Sequence, residues 1–188
     1  DIHRHFTLEG NKRGTMIMPC ASGKSLIAYW AAQRMKVKTI ILAVTSLALL
    51  RQSLEDWNKE FCAMDMSPEW IAICSDKKST EFEADSFTMN EYESGIPLMN
   101  EVLEIGRFLN KKSEKTKVIF TTYQSSSKLA EAVQATNSTI DFCIFDEAHK
   151  TVGAKDKKMS ALLHEDNIKI NKRMFMTATE RVIRGSRE

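Results

Sequence analysis

Met18-Pro19-Cys20-Ala21-Ser22-Gly23-Lys24-Ser25 lies between a short apolar run, Thr15 to Met18, and a segment of helical period, Ser25 to Met35. The stretch fits the phosphate-loop pattern GxxxxGK[ST] at Gly23, Lys24 and Ser25, with Met18 in place of the first glycine. Such a loop works because successive backbone N–H groups curl around phosphate oxygens, while the helix behind adds the positive end of its dipole. Ala21, Ser22, Gly23, Lys24 and Ser25 are the candidate nucleotide-binding residues. Lys24 would reach the β- and γ-phosphates, and Ser25 would hold Mg2+ through its hydroxyl. A GKS tripeptide alone is weak, and the competing reading is an ordinary strand-to-helix turn with an exposed lysine. The strand before and the helix after favour the phosphate loop. Cys20 has no histidine base beside it and reads as a packed small residue rather than a nucleophile.

Outward from this loop, short apolar runs alternate with helix-period segments. Thr39 to Val44 is an apolar, β-branched strand. Leu47, Leu50, Leu54, Trp57 and Phe61 then recur at steps of three and four, which defines one buried helix face. Trp57 and Phe61 on that face read as core rather than as a base-stacking platform. Further strands are expected at Trp70–Cys74, Val118–Thr121, Phe142–Phe145 and Met174–Met176, and helices at Leu98–Leu109, opened by Pro97, and Ser126–Ala135. Continuous rather than alternating apolar strands predict a mostly parallel sheet with helices on both faces. Met16, Met18, Met174 and Met176 read as core.

The 188 residues suit one domain, expected to span 1–188. A hydrophobic fraction of 43% and only three prolines exclude a disordered or collagen-like chain. With 27 basic and 25 acidic side chains, bulk charge does not point to a nucleic-acid partner. Charge is instead segregated: Asp76 to Glu104 holds eight acids against Lys77 and Lys78. Its first part, to about Gly95, is expected to be an acidic surface loop inserted at 76–95. The longest uncharged stretch, Thr39 to Leu50, is twelve residues, too short to span a membrane. The N-terminus lacks the apolar run of a secretory signal. Cys20, Cys62, Cys74 and Cys143 form no CxxC pair, and core thiols of a reduced, intracellular chain are expected, without a zinc site.

The strand Phe142–Phe145 ends in Asp146-Glu147-Ala148-His149. Two acids at the end of an apolar strand are what a Mg-nucleotide site needs as its second half. The first, Asp146, can bind the metal; the second, Glu147, can orient and deprotonate an attacking water. In a doubly wound sheet both halves open at the same carboxyl edge. The competing reading makes Asp146 a helix cap.

These residues resemble the first RecA-like motor domain of superfamily 2 helicases and translocases. MPCASGKS at 18–25 looks like motif I, DEAH at 146–149 like motif II, and Thr177-Ala178-Thr179 like motif III. Val44 to Gln52 is similar to motif Ia, and Thr121-Thr122-Tyr123-Gln124-Ser125 stands where a further strand-contacting motif is found. A narrower likeness is to the helicase part of restriction-type, single-chain type I-like DNA translocases and related phage or viral helicases. It is carried by Cys74–Asp76, Phe120–Ser125, Asp141–Gly153 and Lys172–Thr179.

The resemblance implies a nucleic-acid-dependent ATPase that uses ATP and Mg2+. It implies an intracellular setting, cytoplasmic or, in a eukaryotic or viral context, the nucleus or a viral factory. Lys24, Asp146 and Glu147 would be catalytic, Ser25 and Asp146 the metal ligands. His149, Thr177 and Thr179 would couple ATP state to nucleic acid, DNA being the partner implied by the narrower likeness and RNA the alternative. Ser46, Arg51 and Thr122 would touch the nucleic-acid backbone, although Arg51 equally fits a solvated helix position. The basic runs Lys111–Lys117 and Lys155–Lys158 read as solvated loops, with phosphate contact as the alternative. Ala21 stands where many relatives carry glycine and Glu180 where they usually carry proline, and the resemblance implies that the adenine-reading glutamine motif would fall upstream of residue 1. Relatives place an arginine finger in a second RecA-like domain, and such a finger contributes about 10³–10⁵ in rate. The 188 residues alone are therefore expected to bind Mg-ATP and to hydrolyse it poorly. A regulatory module that binds ATP without motor work is the alternative of another class.

Overall fold

The computed structural model describes residues 1–19, 22–74, 96–148 and 161–178. Among the described residues, seven strands form one sheet: β1 (Arg13–Ile17), β2 (Thr39–Val44), β3 (Glu69–Ile73), β4 (Leu98–Met99), β5 (Lys117–Thr122), β6 (Ile140–Phe145) and β7 (Ile170–Thr177). Their order across the sheet is β1-β7-β6-β2-β5-β3-β4. Every neighbouring pair is parallel. Parallel strands need crossovers, and helices supply most of them: α1 (Lys24–Arg34), α2 (Leu47–Ala63), α3 (Val102–Asn110) and α4 (Ser126–Thr136).

The period-2 geometry of each strand divides its apolar side chains between two cores. Ile40, Leu42 and Val44 of β2 point to one face, where they meet Ala28 and Tyr29 of α1 and Leu50, Leu54, Trp57 and Phe61 of α2. Ile41 and Ala43 point to the other, against Ile105 of α3 and Leu129, Ala130 and Val133 of α4. β2 and β5 are buried along almost their whole length, which is why their sequences read as unbroken apolar runs. Of the α2 stripe, Leu50, Leu54, Trp57 and Phe61 are buried and Leu47 is half-buried. Met16, Met174 and Met176 are core, with Met18 packed partly buried against them.

Three expectations change. The helix expected from Leu98 begins at Val102, because Leu98–Met99 pairs with Ala72 and Ile73 as the edge strand β4. Pro97 does not open the helix; its carbonyl accepts from the Ala72 N–H at 3.0 Å. A proline beside an edge strand removes no ladder bond. Cys62 is exposed rather than a core thiol, whereas Cys143 is fully buried, and burial pushes its thiol well above the ordinary range. Lys117, from the basic run 111–117, is neither solvated nor turned to an outside phosphate. It is buried, and its Nζ donates to the Leu109 and Lys111 carbonyls at the end of α3. That places a cation where the helix dipole is negative. The acidic segment 76–95 and the run Lys155–Lys158 lie outside the described residues.

The largest buried charge is Arg173 on β7, with 0% of its surface exposed. Its guanidinium donates to the carbonyls of Leu162 (3.1 Å), Ile170 (3.1 Å) and Ile168 (3.3 Å). Arg173 thereby holds the 162–170 segment over the end of the sheet. Removing it would strand three buried acceptors, each costing about 1–3 kcal/mol when unsatisfied. Arg173→Ala is expected to lower the unfolding free energy by ~3 kcal/mol or more in urea denaturation. An unchanged midpoint would show that the three carbonyls find other donors.

Candidate nucleotide site

Because β1, β7 and β6 are parallel neighbours, the chain leaves all three at one edge. Ile17 is in register with Thr177, and Phe145 with Phe175. The phosphate loop follows β1, Asp146 follows β6, and Thr177 ends the strand between them. Two strand spacings, about 10 Å, separate the outer two. Lys24 and Asp146 are thus brought to one edge from opposite ends of the sequence.

In the loop, Gly23 adopts φ 80°, ψ 24° and serves as the N-cap of α1. This left-handed turn swings the chain from the strand into the helix, and glycine does so without a Cβ penalty. Lys24 is the first helical residue and is 8% exposed. Its Nζ donates to the carbonyls of Met18 (3.3 Å) and Pro19 (3.2 Å). The Ser22 hydroxyl donates to the Pro19 carbonyl at 2.6 Å. Met18, at the pattern's first glycine, extends the β1 ladder instead of turning, its N–H donating to the Thr177 carbonyl at 3.0 Å. A side chain is therefore tolerated there. Ser25 follows on the first turn of α1, and its Oγ accepts from Trp57 Nε1 at 3.0 Å. Cys20 and Ala21 lie outside the described residues.

At the other half, the Asp146 N–H donates to the Ala43 carbonyl (2.9 Å), carrying the β6 ladder one residue past Phe145. Glu147 then turns with φ 52°, and its N–H donates to Asp146 Oδ1 at 3.0 Å. A left-handed non-glycine residue costs about 1–2 kcal/mol, so the surroundings must hold the turn. Tyr123 contributes: its hydroxyl donates to the Asp146 carbonyl at 2.7 Å. The Tyr123 ring stacks on Phe145, and Phe145 on Phe175. Burial raises the Tyr123 phenol well above its ordinary pKa, so it stays a protonated donor.

Thr177 is buried at the end of β7. His149, Thr179 and Glu180 lie outside the described residues. Of the expected nucleic-acid contacts, Ser46 is exposed and caps α2, its Oγ accepting from the Leu49 N–H at 3.3 Å. Thr122 ends β5 in register with Val44, so both residues sit at the carboxyl edge. Thr122 itself is buried, its hydroxyl donating to Ser125 Oγ at 3.1 Å. Arg51 is exposed on α2 and pairs with Glu55 one turn later at 3.0 Å. Sequence reasoning passed over Trp57 and Tyr123 as polar participants. The available signal was that a buried indole N–H or phenol O–H must find an acceptor.

A parallel sheet with helices on both faces, a phosphate loop after its edge strand and an acidic pair two strands away define the ATPase lobe of superfamily 2 helicases. The chain belongs to the family of the Type III restriction enzyme res subunit, whose model matches residues 1–181. Among solved structures it is similar to a nuclease-deletion mutant of the Type ISP restriction-modification enzyme LlaGI in complex with a DNA substrate mimic. That match has a TM-score of 0.73 at 25% identity, over 96% of this chain and 17% of that one. The ATP-dependent Type ISP enzyme LlaBIII bound to DNA matches at TM-score 0.73 and 26% identity, over 94% of this chain and 12% of that one. The helicase domain of Pyrococcus furiosus Hef shares the fold, with TM-score 0.59 and 19% identity over 96% of this chain and 32% of that one. A curated relative is the TFIIH helicase/translocase XPB subunit of Trypanosoma brucei brucei, 32% identical over 73 residues, 37% of this chain and 7% of that protein. The chain spans less than a third of each of these proteins. No helix among the described residues is long and apolar enough to cross a membrane.

Among the described residues, no atom beyond Gly23 and its two chain neighbours lies within 4 Å of where a Cβ on Gly23 would sit, so a side chain there meets strain but no clash with them. Gly23→Ala is expected to destabilise the folded chain by about 1–2 kcal/mol through backbone strain alone. Chemical denaturation measures this, and a loss beyond ~3 kcal/mol would mean that the loop packs more tightly than described.

Proposed function

We propose that this chain is the ATP-binding lobe of a DNA helicase or translocase that couples ATP hydrolysis to movement on DNA. The observation that carries the reading is the shared edge: Lys24 after β1, Thr177 on β7 and Asp146 after β6 leave three adjacent parallel strands. Backbone N–H groups of the loop and the N-terminus of α1 bind the phosphates, and Lys24 neutralises their charge. Ser25 and Asp146 offer a hydroxyl and a carboxylate, the hard oxygen donors that suit Mg2+. Those two residues would hold the ion, which supplies charge neutralisation on the phosphates.

Glu147 is the candidate base. Its left-handed turn, tied by its N–H to the Asp146 carboxylate, takes the chain out of the strand direction directly after β6. There it orients a water and takes its proton. Thr177, with Thr179 two residues on and His149 at the end of the acidic motif, would couple this event to the nucleic acid. Ser46 at the N-cap of α2, Arg51 within that helix and the segment from Thr122 are candidates for backbone contact. DNA is favoured over RNA by the two Type ISP relatives, both described with DNA or a DNA mimic. A second RecA-like lobe would complete the site with the charge that speeds hydrolysis, so the 188 residues by themselves bind Mg-ATP and turn it over slowly.

The test is ATPase rate in the full-length protein with double-stranded DNA, single-stranded DNA, RNA or no nucleic acid. Strong stimulation by DNA is expected. Lys24→Ala should abolish nucleotide binding, and Glu147→Gln should keep binding while lowering turnover about 10²-fold or more. Stimulation by RNA alone would transfer the reading to an RNA helicase. A full rate in Glu147→Gln would remove Glu147 as the base. No response to any nucleic acid would leave a regulatory ATP-binding module.

A further inference from the structure

Trp57 is fully buried in the middle of α2, wedged edge-on between Tyr29 of α1 (5.4 Å) and Phe120 of β5 (5.8 Å). Its ring serves the core, but its N–H does not face carbon. Nε1 donates to Ser25 Oγ at 3.0 Å and to the Ser25 carbonyl at 3.2 Å. The two acceptors belong to one residue, on the first turn of the helix that follows the phosphate loop.

A free serine hydroxyl samples three rotamers and can turn either its proton or a lone pair to a ligand. Here one lone pair of Ser25 Oγ is already engaged by a donor that cannot move without disturbing the core. That leaves the second lone pair and the hydroxyl proton to face away from Trp57. A metal ligand is needed in just this state: oxygen fixed, lone pair outward, proton directed elsewhere. Second donors of this kind orient the ligands of metal sites and tune their affinity.

We propose that Trp57 is a positioning residue that holds Ser25 Oγ in the rotamer that accepts Mg2+ and so sets the metal requirement of the site. The proposal rests on Ser25 being a metal ligand. The same indole bond to the Ser25 carbonyl ties the first turn of α1 to α2. The hydroxyl and its backbone therefore keep one position relative to the loop.

The test is the Mg2+ concentration needed for half-maximal binding of a fluorescent ATP analogue to the full-length protein, a readout independent of turnover. Four forms are compared: the natural protein, Trp57→Phe, Ser25→Ala and the double variant. Ser25→Ala is expected to raise the Mg2+ requirement. Trp57→Phe is expected to raise it ~5-fold, the equivalent of one hydrogen bond, and to leave nucleotide affinity without Mg2+ unchanged. In the Ser25→Ala background Trp57→Phe should add nothing. Should Trp57→Phe not fold, replacement of Trp57 by 3-benzothienylalanine keeps the ring shape and removes only the N–H. It should give the same shift.

If Ser25→Ala raises the requirement and neither Trp57 replacement does, the positioning role is overturned while the metal-ligand reading stands. Equal effects of Trp57→Phe in both backgrounds would reduce Trp57 to packing and also overturn it. An unchanged requirement in Ser25→Ala would remove Ser25 as a ligand, and the proposal with it.

Discussion

Parallel pairing of β1, β7 and β6 is the constraint on which the rest depends. Each of these strands ends in a different chemical element: a phosphate loop, a threonine and an acidic turn. Only a common strand direction puts the three endings on one edge. One reversed strand would carry its ending to the opposite side of the sheet, a strand length away. The common direction is enforced by crossovers, because a parallel strand cannot be reached by a tight hairpin. The helices that cover the two faces are therefore part of what assembles the site.

Each helix layer also sends one aromatic donor into that edge. From the α1–α2 side, the Trp57 indole reaches Ser25. From the opposite side, Tyr123, at the head of the turn leading into α4, reaches the Asp146 carbonyl. Both rings are buried to 1% exposure or less, so both hydrogen bonds are shielded from water. The left-handed Glu147 turn and the Ser25 rotamer are thus anchored by the cores themselves. The opposite edge uses charges instead. Arg173 and Lys117 grip backbone carbonyls, and Asp141 accepts from the Lys38 and Thr39 N–H groups at 2.9 and 3.0 Å.

Much of this was legible in the sequence where one physical demand dominates. β2 falls at Thr39–Val44 as expected, because a strand buried on both faces must be apolar throughout. The α2 stripe is equally plain, and the loop's Gly23-Lys24-Ser25 and the acidic Asp146-Glu147 stand where strand ends require them. The sequence is less telling where two demands compete. Leu98–Met99 continues a helical period, but pairing with β3 claims it first. Lys117 looks like one more solvated lysine, although its ammonium finds the end of α3. Trp57 satisfies the hydrophobic period and so conceals its polar contact. Arg173 is legible only from the fold, since two of its three acceptors, the Leu162 and Ile168 carbonyls, lie outside any helix or strand and the third, Ile170, opens β7 itself.

Lys24 is already engaged by two carbonyls, those of Met18 and Pro19. On the proposed reading, an incoming phosphate would meet a cation with two of its three donors engaged. Capture of the nucleotide would then be an exchange of acceptors, in which charged oxygens displace neutral ones. Hydrogen bonds between charged partners are roughly twice as strong as neutral ones, which gives the exchange its direction. The affinity that results would be a difference between two bonded states. A carbonyl pair so close to the ammonium would also give the lysine somewhere to return when the phosphate departs.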